Sequence, residues 1–137
     1  MIFGVGLDII DLVDFKKTID RSGEPFIERV FTERERQYCR SQPHPLQSFA
    51  ARFAAKEASM KALGIAGEEG LTWQDFEVLL SESGRPRIET HGYAASRLIS
   101  LGIDALQVSL SHSQSAAAAV AVAVKQPVWA TIPGGTR

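Results

Sequence analysis

Within the thirteen residues Arg52–Gly64 (RFAAKEASMKALG), one carboxylate, Glu57, stands among Arg52, Lys56 and Lys61. A cluster of this kind is suited to hold an anion. Two residues far off in sequence have the chemistry to join it: Asp8 in the first apolar run and His112 at the end of a late one. Two carboxylates and a few waters suit Mg²⁺, which prefers oxygen ligands and commonly bridges carboxylates to substrate phosphates. The neighbouring cations would bind those phosphates. Each residue also has a plainer reading. Glu57 and Lys61 are spaced as an i,i+4 ion pair on a helix surface, Asp8 stands where Asp often caps a following helix, and His112 suits a partly buried strand end. Spacing alone leaves both sets of readings open.

The elements that must carry these residues are well marked. Ile2 to Ile10 alternates as a strand, with Phe3, Val5, Leu7 and Ile9 on one face and Ile2, Gly4, Gly6 and Asp8 on the other. Two glycines in a strand mark close approach of another element or a ligand. Leu12, Phe15 and Ile19 recur at helical spacing over Asp11 to Arg21, up to Gly23. An apolar passage at Phe26, Ile27 and Val30 precedes Thr32-Glu33-Arg34-Glu35, which has the spacing of a capping box and starts a charged helix running to about Arg40. Pro43 and Pro45 end it.

The helix carrying Glu57 follows. It is alanine-rich and stops at Gly64; Phe49, Phe53, Met60 and Leu63 form its core stripe, and Ala50, Ala54, Glu57 and Lys61 a neighbouring one. Small residues on that second stripe leave room for a ligand or another backbone. Lys56 falls near the apolar stripe, with no partner evident. Beyond a glycine-punctuated loop, Phe76 to Leu80 reads as a strand, Ser83-Gly84-Arg85-Pro86 as a hairpin turn, Arg87 to Glu89 as the return strand, and His91 to Leu101 as a helix ending at Gly102.

Two strands close the fold. Leu106, Val108, Leu110 and His112 alternate with Gln107, Ser109 and Ser111; Val120, Val122 and Val124 alternate with Ala119, Ala121 and Ala123. A valine face needs burial and an alanine face admits a close neighbour, so both should be covered; a subunit interface is one way to do that, and a charge at Ala121 would then disrupt the oligomer. A single domain over residues 1–125 is expected, with 126–137 a C-terminal extension that could dock through Trp129.

At 137 residues and 45% hydrophobic content the chain can bury a modest core without staples. Its single cysteine, Cys39, excludes an intrachain disulfide and a Cys-based metal cluster and fits a reducing cytosol or a buried, inert thiol. The opening MIFGVGLDII lacks a basic leader and carries Asp8, so neither a signal peptide nor a membrane span is expected and a cytoplasmic location is. A net charge of −1 exerts no global pull toward nucleic acid.

Five stretches, in this order, make the chain resemble the holo-acyl-carrier-protein synthases, the small single-domain type of 4′-phosphopantetheinyl transferase: GVGLDI at 4–9, FTERE at 31–35, RFAAKEASMKALG at 52–64, SGRPRI at 83–88 and VSLSHS at 108–113. The resemblance spans residues 1–125. It implies a small α+β domain, a mostly antiparallel sheet packed with helices, assembled as a trimer with each site between two subunits. The implied reaction is Mg²⁺-dependent transfer of the phosphopantetheine arm of coenzyme A to a serine of an apo acyl carrier protein in fatty acid biosynthesis, releasing 3′,5′-ADP.

Residue by residue, Asp8 and Glu57 match the metal ligands and Lys61 a phosphate contact. Glu57 is also the implied proton acceptor, acting directly or through a metal-held water. Arg52, Gly84, Arg85, Pro86, Ser111 and His112 look like coenzyme A contacts, the two arginines suiting the 3′-phosphate. The hairpin turn and His112 would come from the neighbour of the chain supplying Asp8 and Glu57. Lys16, Lys17 and Arg21 on the first helix match the face that docks the acidic carrier, here interrupted by Asp14 and Asp20, which weakens electrostatic steering. That mixed helix is the one hint of a polyketide or peptide-synthesis carrier as the alternative substrate. A coenzyme A-binding protein without transferase activity is a third reading, disfavoured because binding alone needs no metal pair.

Overall fold

The first strand meets the central helix backbone to backbone. In the computed structural model, which describes residues 1–126, β1 (Ile2–Asp11) turns its glycine face onto α4 (Pro45–Leu63). A Cβ at Gly4 would sit 2.0 Å from the carbonyl oxygen of Ala62, and one at Gly6 1.9 Å from that of Ala58. Only glycine fits at either position. The close approach announced by the glycines is therefore to a helix, at Ala58 and Ala62, beside the stripe of Ala50, Ala54, Glu57 and Lys61.

β5 (Ala116–Val124) lies between β1 and β4 (Ala105–His112), antiparallel to both. Ala117, Ala119, Ala121 and Ala123 point inward and join Ala54, Ala58 and Ala62 of α4 in two contiguous cores. Ala121 is thus covered within its own chain, and the sequence-based placement of a subunit contact on that face is corrected. Small residues on both sides let the helix lie low on the sheet. Twelve of the nineteen residues of α4 are buried, so its single expected core stripe broadens to nearly the whole circumference.

The opposite face of this sheet is apolar and open. Val5 pairs with Val122 and Leu7 with Val120, while Val5, Leu7 and Ile9 are 58%, 66% and 70% exposed. The valine face expected to be covered is not covered within the chain.

Helices α1 (Leu12–Ser22), α2 (Glu24–Val30) and α3 (Glu33–Ser41) pack around the first half of α4. Glu24 and Pro25 start α2 in the apolar passage before the capping box. Pro45, read as a terminator of α3, is instead at the first turn of α4. The hairpin β2 (Phe76–Leu80) and β3 (Pro86–Thr90) forms a second sheet, and α5 (Gly92–Leu101) leads into β4. Trp129 lies outside the described residues. No described helix is long and apolar enough to cross a membrane.

Two buried ion networks fasten this frame. Thr32 and Glu35 form the expected capping box, and the same Glu35 carboxylate receives the Lys56 ammonium at 2.8 Å and the Val78 amide at 3.0 Å. Lys56 is fully buried and also donates to the carbonyls of Trp73 and Phe76. All three of its donors are used, and burial pushes its pKa down while Glu35 opposes that.

The second network centres on Glu77, 3% exposed, which accepts hydrogen bonds from Thr32 and Arg34 and lies 3.0 Å from His91 Nε2. Burial favours its neutral form, yet the hydrogen bonds from Arg34, Thr32 and His91 outweigh it and hold the pKa at about 2. A depressed carboxylate stabilises the fold above its unfolded pKa and loses that contribution as pH falls through the folded value. Glu77 is therefore expected to contribute about 3 kcal/mol that disappears between about pH 4.5 and 2. Urea unfolding across that window should show a shallower pH dependence for Glu77→Gln than for the wild type; parallel slopes would contradict the assignment.

Candidate active site

Asp8 points from the end of the glycine face toward the last turns of α4. Lys61 Nζ donates to Asp8 Oδ1 at 3.1 Å and to the Leu7 carbonyl at 3.0 Å. Glu57 stands one turn earlier on the same flank. Burial, and then the nearby Asp8 charge, raise the Glu57 pKa, with Lys61 pulling it back. Asp8 Oδ2 is buried and has no hydrogen-bond partner among the described residues. Two carboxylates that repel each other, one with an orphaned oxygen, make a donor set that fits a hard divalent cation.

The three cations once grouped around Glu57 part company in space, which corrects the sequence reading of one local concentration. Lys61 stays beside Glu57. Lys56 is consumed by Glu35, and Arg52, nine positions before Lys61, lies roughly 180° away around the helix. That opposite flank opens into a cavity of about 350 Å³, whose lining includes Tyr38, Arg52, Gly84, Pro86, Leu110 and His112. Four of the six expected coenzyme A contacts, Arg52, Gly84, Pro86 and His112, thus converge although they come from a helix, a hairpin and a strand. Arg85 and Ser111 do not line this cavity. Arg85 borders a depression beside Leu106 and Val108, and Ser111, next to His112 on an alternating strand, faces a different one.

Leu110 and Asp8 face the same side of the sheet, paired through Ala119 across β5, and they stand about 10 Å apart by strand spacing. None of Asp8, Glu57 and Lys61 lines the cavity beside Leu110. Within one chain the acidic pair and the cavity stand apart, on either flank of α4.

Glu77, Glu89 and His91 also bring ligand atoms within 4.8 Å of one another. Nothing along the sequence groups them, because β2, β3 and the residue before α5 meet only in the folded hairpin. Donors from Arg34 and Thr32 already engage the Glu77 oxygens, so this group is a structural ion network.

Comparison with known proteins settles the family. The model of the 4′-phosphopantetheinyl transferase superfamily matches residues 4–123. The chain belongs to that superfamily. It is 43% identical over 114 residues to a holo-[acyl-carrier-protein] synthase of Koribacter versatilis, covering 83% of this chain and 91% of that one. The fold matches holo-[acyl-carrier-protein] synthase of Neisseria meningitidis with a TM-score of 0.85 at 28% identity, over 91% of this chain and all of the other. The Helicobacter pylori synthase in complex with coenzyme A matches with a TM-score of 0.77 at 28% identity, over 88% and 99% of the two chains. The transferase superfamily's small α+β fold, expected from five short stretches of sequence, is the fold observed.

Proposed function

We propose that this protein transfers the 4′-phosphopantetheine arm of coenzyme A to a serine hydroxyl of an apo acyl carrier protein, as a holo-acyl-carrier-protein synthase. The serine oxygen forms a bond to the phosphorus bearing the pantetheine arm, the bond from that phosphorus to the bridging pyrophosphate oxygen breaks, and 3′,5′-ADP leaves. The observation that carries the reading to this chain is the meeting of Asp8, Glu57 and Lys61 on one flank of α4.

Asp8 and Glu57 would hold Mg²⁺, which when bound neutralises the pyrophosphate charge. Lys61, already against Asp8, is placed to reach a phosphate oxygen of the same group. Glu57 is the carboxylate available to accept the serine proton. Arg52 lines the cavity as a buried cation and suits the 3′-phosphate, with Gly84, Pro86 and His112 around the adenosine. Arg85 and Ser111 complete the coenzyme A contacts from outside that cavity.

A site made of two half-sites needs two chains. We assign the open apolar face of β1 and β5 to contacts in a homotrimer, in which the cavity of one subunit faces the acidic pair of the next. Val122→Glu on that face is expected to yield folded monomers with little turnover. A trimer of unchanged mass by light scattering would place the interface elsewhere.

Carrier docking is assigned to the exposed Lys17 and Arg21 of α1. Lys16 contributes less, since Asp20 pairs with it at 2.6 Å. Residues 1–125 constitute the transferase domain, with 126–137 an extension, and the setting is the cytoplasm, where fatty acid synthesis supplies the carrier.

Incubation with coenzyme A, Mg²⁺ and apo carriers, followed by mass spectrometry of each carrier, tests the function. A gain of one phosphopantetheine per carrier is expected, fastest on the fatty-acid carrier. No gain on any carrier would leave a coenzyme A-binding protein, and preference for a polyketide or peptide-synthesis carrier would reassign the substrate.

A further inference from the structure

Arg52 is charged, 5% exposed, and lines the cavity with its Nε lacking any hydrogen-bond partner among the described residues. What holds this side chain is therefore a question of function. One tether is polar, Nη1 donating to the Ser48 carbonyl at 3.3 Å. The other is aromatic: the guanidinium carbon sits 4.2 Å from the centroid of the Tyr38 ring.

We infer that Tyr38 is a positioning residue for coenzyme A recognition, which fixes the Arg52 guanidinium so that its free edge reads the 3′-phosphate. This rests on the reading of the cavity as the coenzyme A half-site.

The placement follows from how α3 and α4 are joined. Glu35 and Tyr38 are three residues apart on α3, and Lys56 and Arg52 are four apart on α4. The buried Glu35–Lys56 pair is one rung between the helices and the Tyr38–Arg52 stack is the next. The first rung sets the register that brings the ring under the guanidinium.

Stacking uses the face of the guanidinium and leaves its in-plane donors free, whereas a carboxylate partner would consume them and cancel the charge. Among the described residues, no carboxylate lines the cavity. A planar fork held by its face and one corner presents the remaining N–H groups in the geometry that a phosphate accepts bidentately. Without the ring, the long side chain keeps its charge and loses its orientation.

Steady-state kinetics at saturating carrier, with coenzyme A and with 3′-dephospho-coenzyme A as donors, tests this. The wild type should show a lower KM for coenzyme A than for the dephospho form. Tyr38→Leu should raise the KM for coenzyme A by about tenfold, leave that for the dephospho form and both kcat values nearly unchanged, and so erase the discrimination. Tyr38→Phe, which keeps the ring, should restore it.

Wild-type enzyme that turns over but uses both donors with equal KM would refute the 3′-phosphate reading of the cavity itself. Discrimination present in the wild type and retained by Tyr38→Leu would overturn the role of Tyr38 alone. Should Tyr38→Leu fail to fold, Tyr38→Met is read by the same ratio.

Discussion

Glu57→Gln is expected to reduce Mg²⁺-dependent turnover by about 10²–10⁴-fold while the protein stays folded. The substitution keeps shape and removes one charge. In the folded chain Glu57 is half-buried and destabilised by its own burial and by Asp8, so neutralising it relieves repulsion and costs the fold nothing. A cation site loses one of its two carboxylates. Thermal melts separate the two effects, because a ligand that binds only the native state raises Tm by mass action. Mg²⁺ should stabilise the wild type measurably and the variant far less. Turnover near the wild-type rate at equal Mg²⁺ would remove Glu57 from both the ligand and the proton-acceptor roles.

Lys56→Met should cost about 3–5 kcal/mol of stability, because it strands the Glu35 carboxylate in a dry interior. That corresponds to a fall in Tm of roughly 10–20 °C. The carbonyls of Trp73 and Phe76 lose their donor at the same time. Glu35→Gln combined with Lys56→Met should recover part of the loss, since the pair is worth less than the cost of leaving either charge alone. A double-mutant cycle by chemical denaturation measures the coupling, and strictly additive single effects would show that the two residues do not act as a unit. Because Phe76 opens the strand that leads to Gly84 and Pro86, surviving Lys56→Met enzyme should also bind coenzyme A more weakly.

Where residues near in sequence act together, the chain could be read directly. Thr32 and Glu35 announced a cap, Gly64 a helix end, Ser83 to Pro86 a turn, and the alternation at 106–112 and 117–124 two strands, each later found within a residue or two. Gly4 and Gly6 announced a close approach, and the motifs around Asp8 and Glu57 pointed to the family. All of these signals rest on backbone geometry or side-chain period, which are local.

Packing decided the rest. Lys56 has no local acceptor, and its partners lie 17 to 21 positions away. Glu77 draws on Thr32, Arg34 and His91, which only the hairpin brings together. The stack of Tyr38 on Arg52 needs the register between α3 and α4. Three cations in ten residues read as one cluster along the chain, but a helix turns roughly 100° per residue. One therefore faces the acidic pair, one enters the core and one lines a cavity on the far flank. The sequence by itself determined which residues have the chemistry. Tertiary structure decided which of them meet, because long-range contacts depend on how helix and sheet pack, and no period or spacing records that.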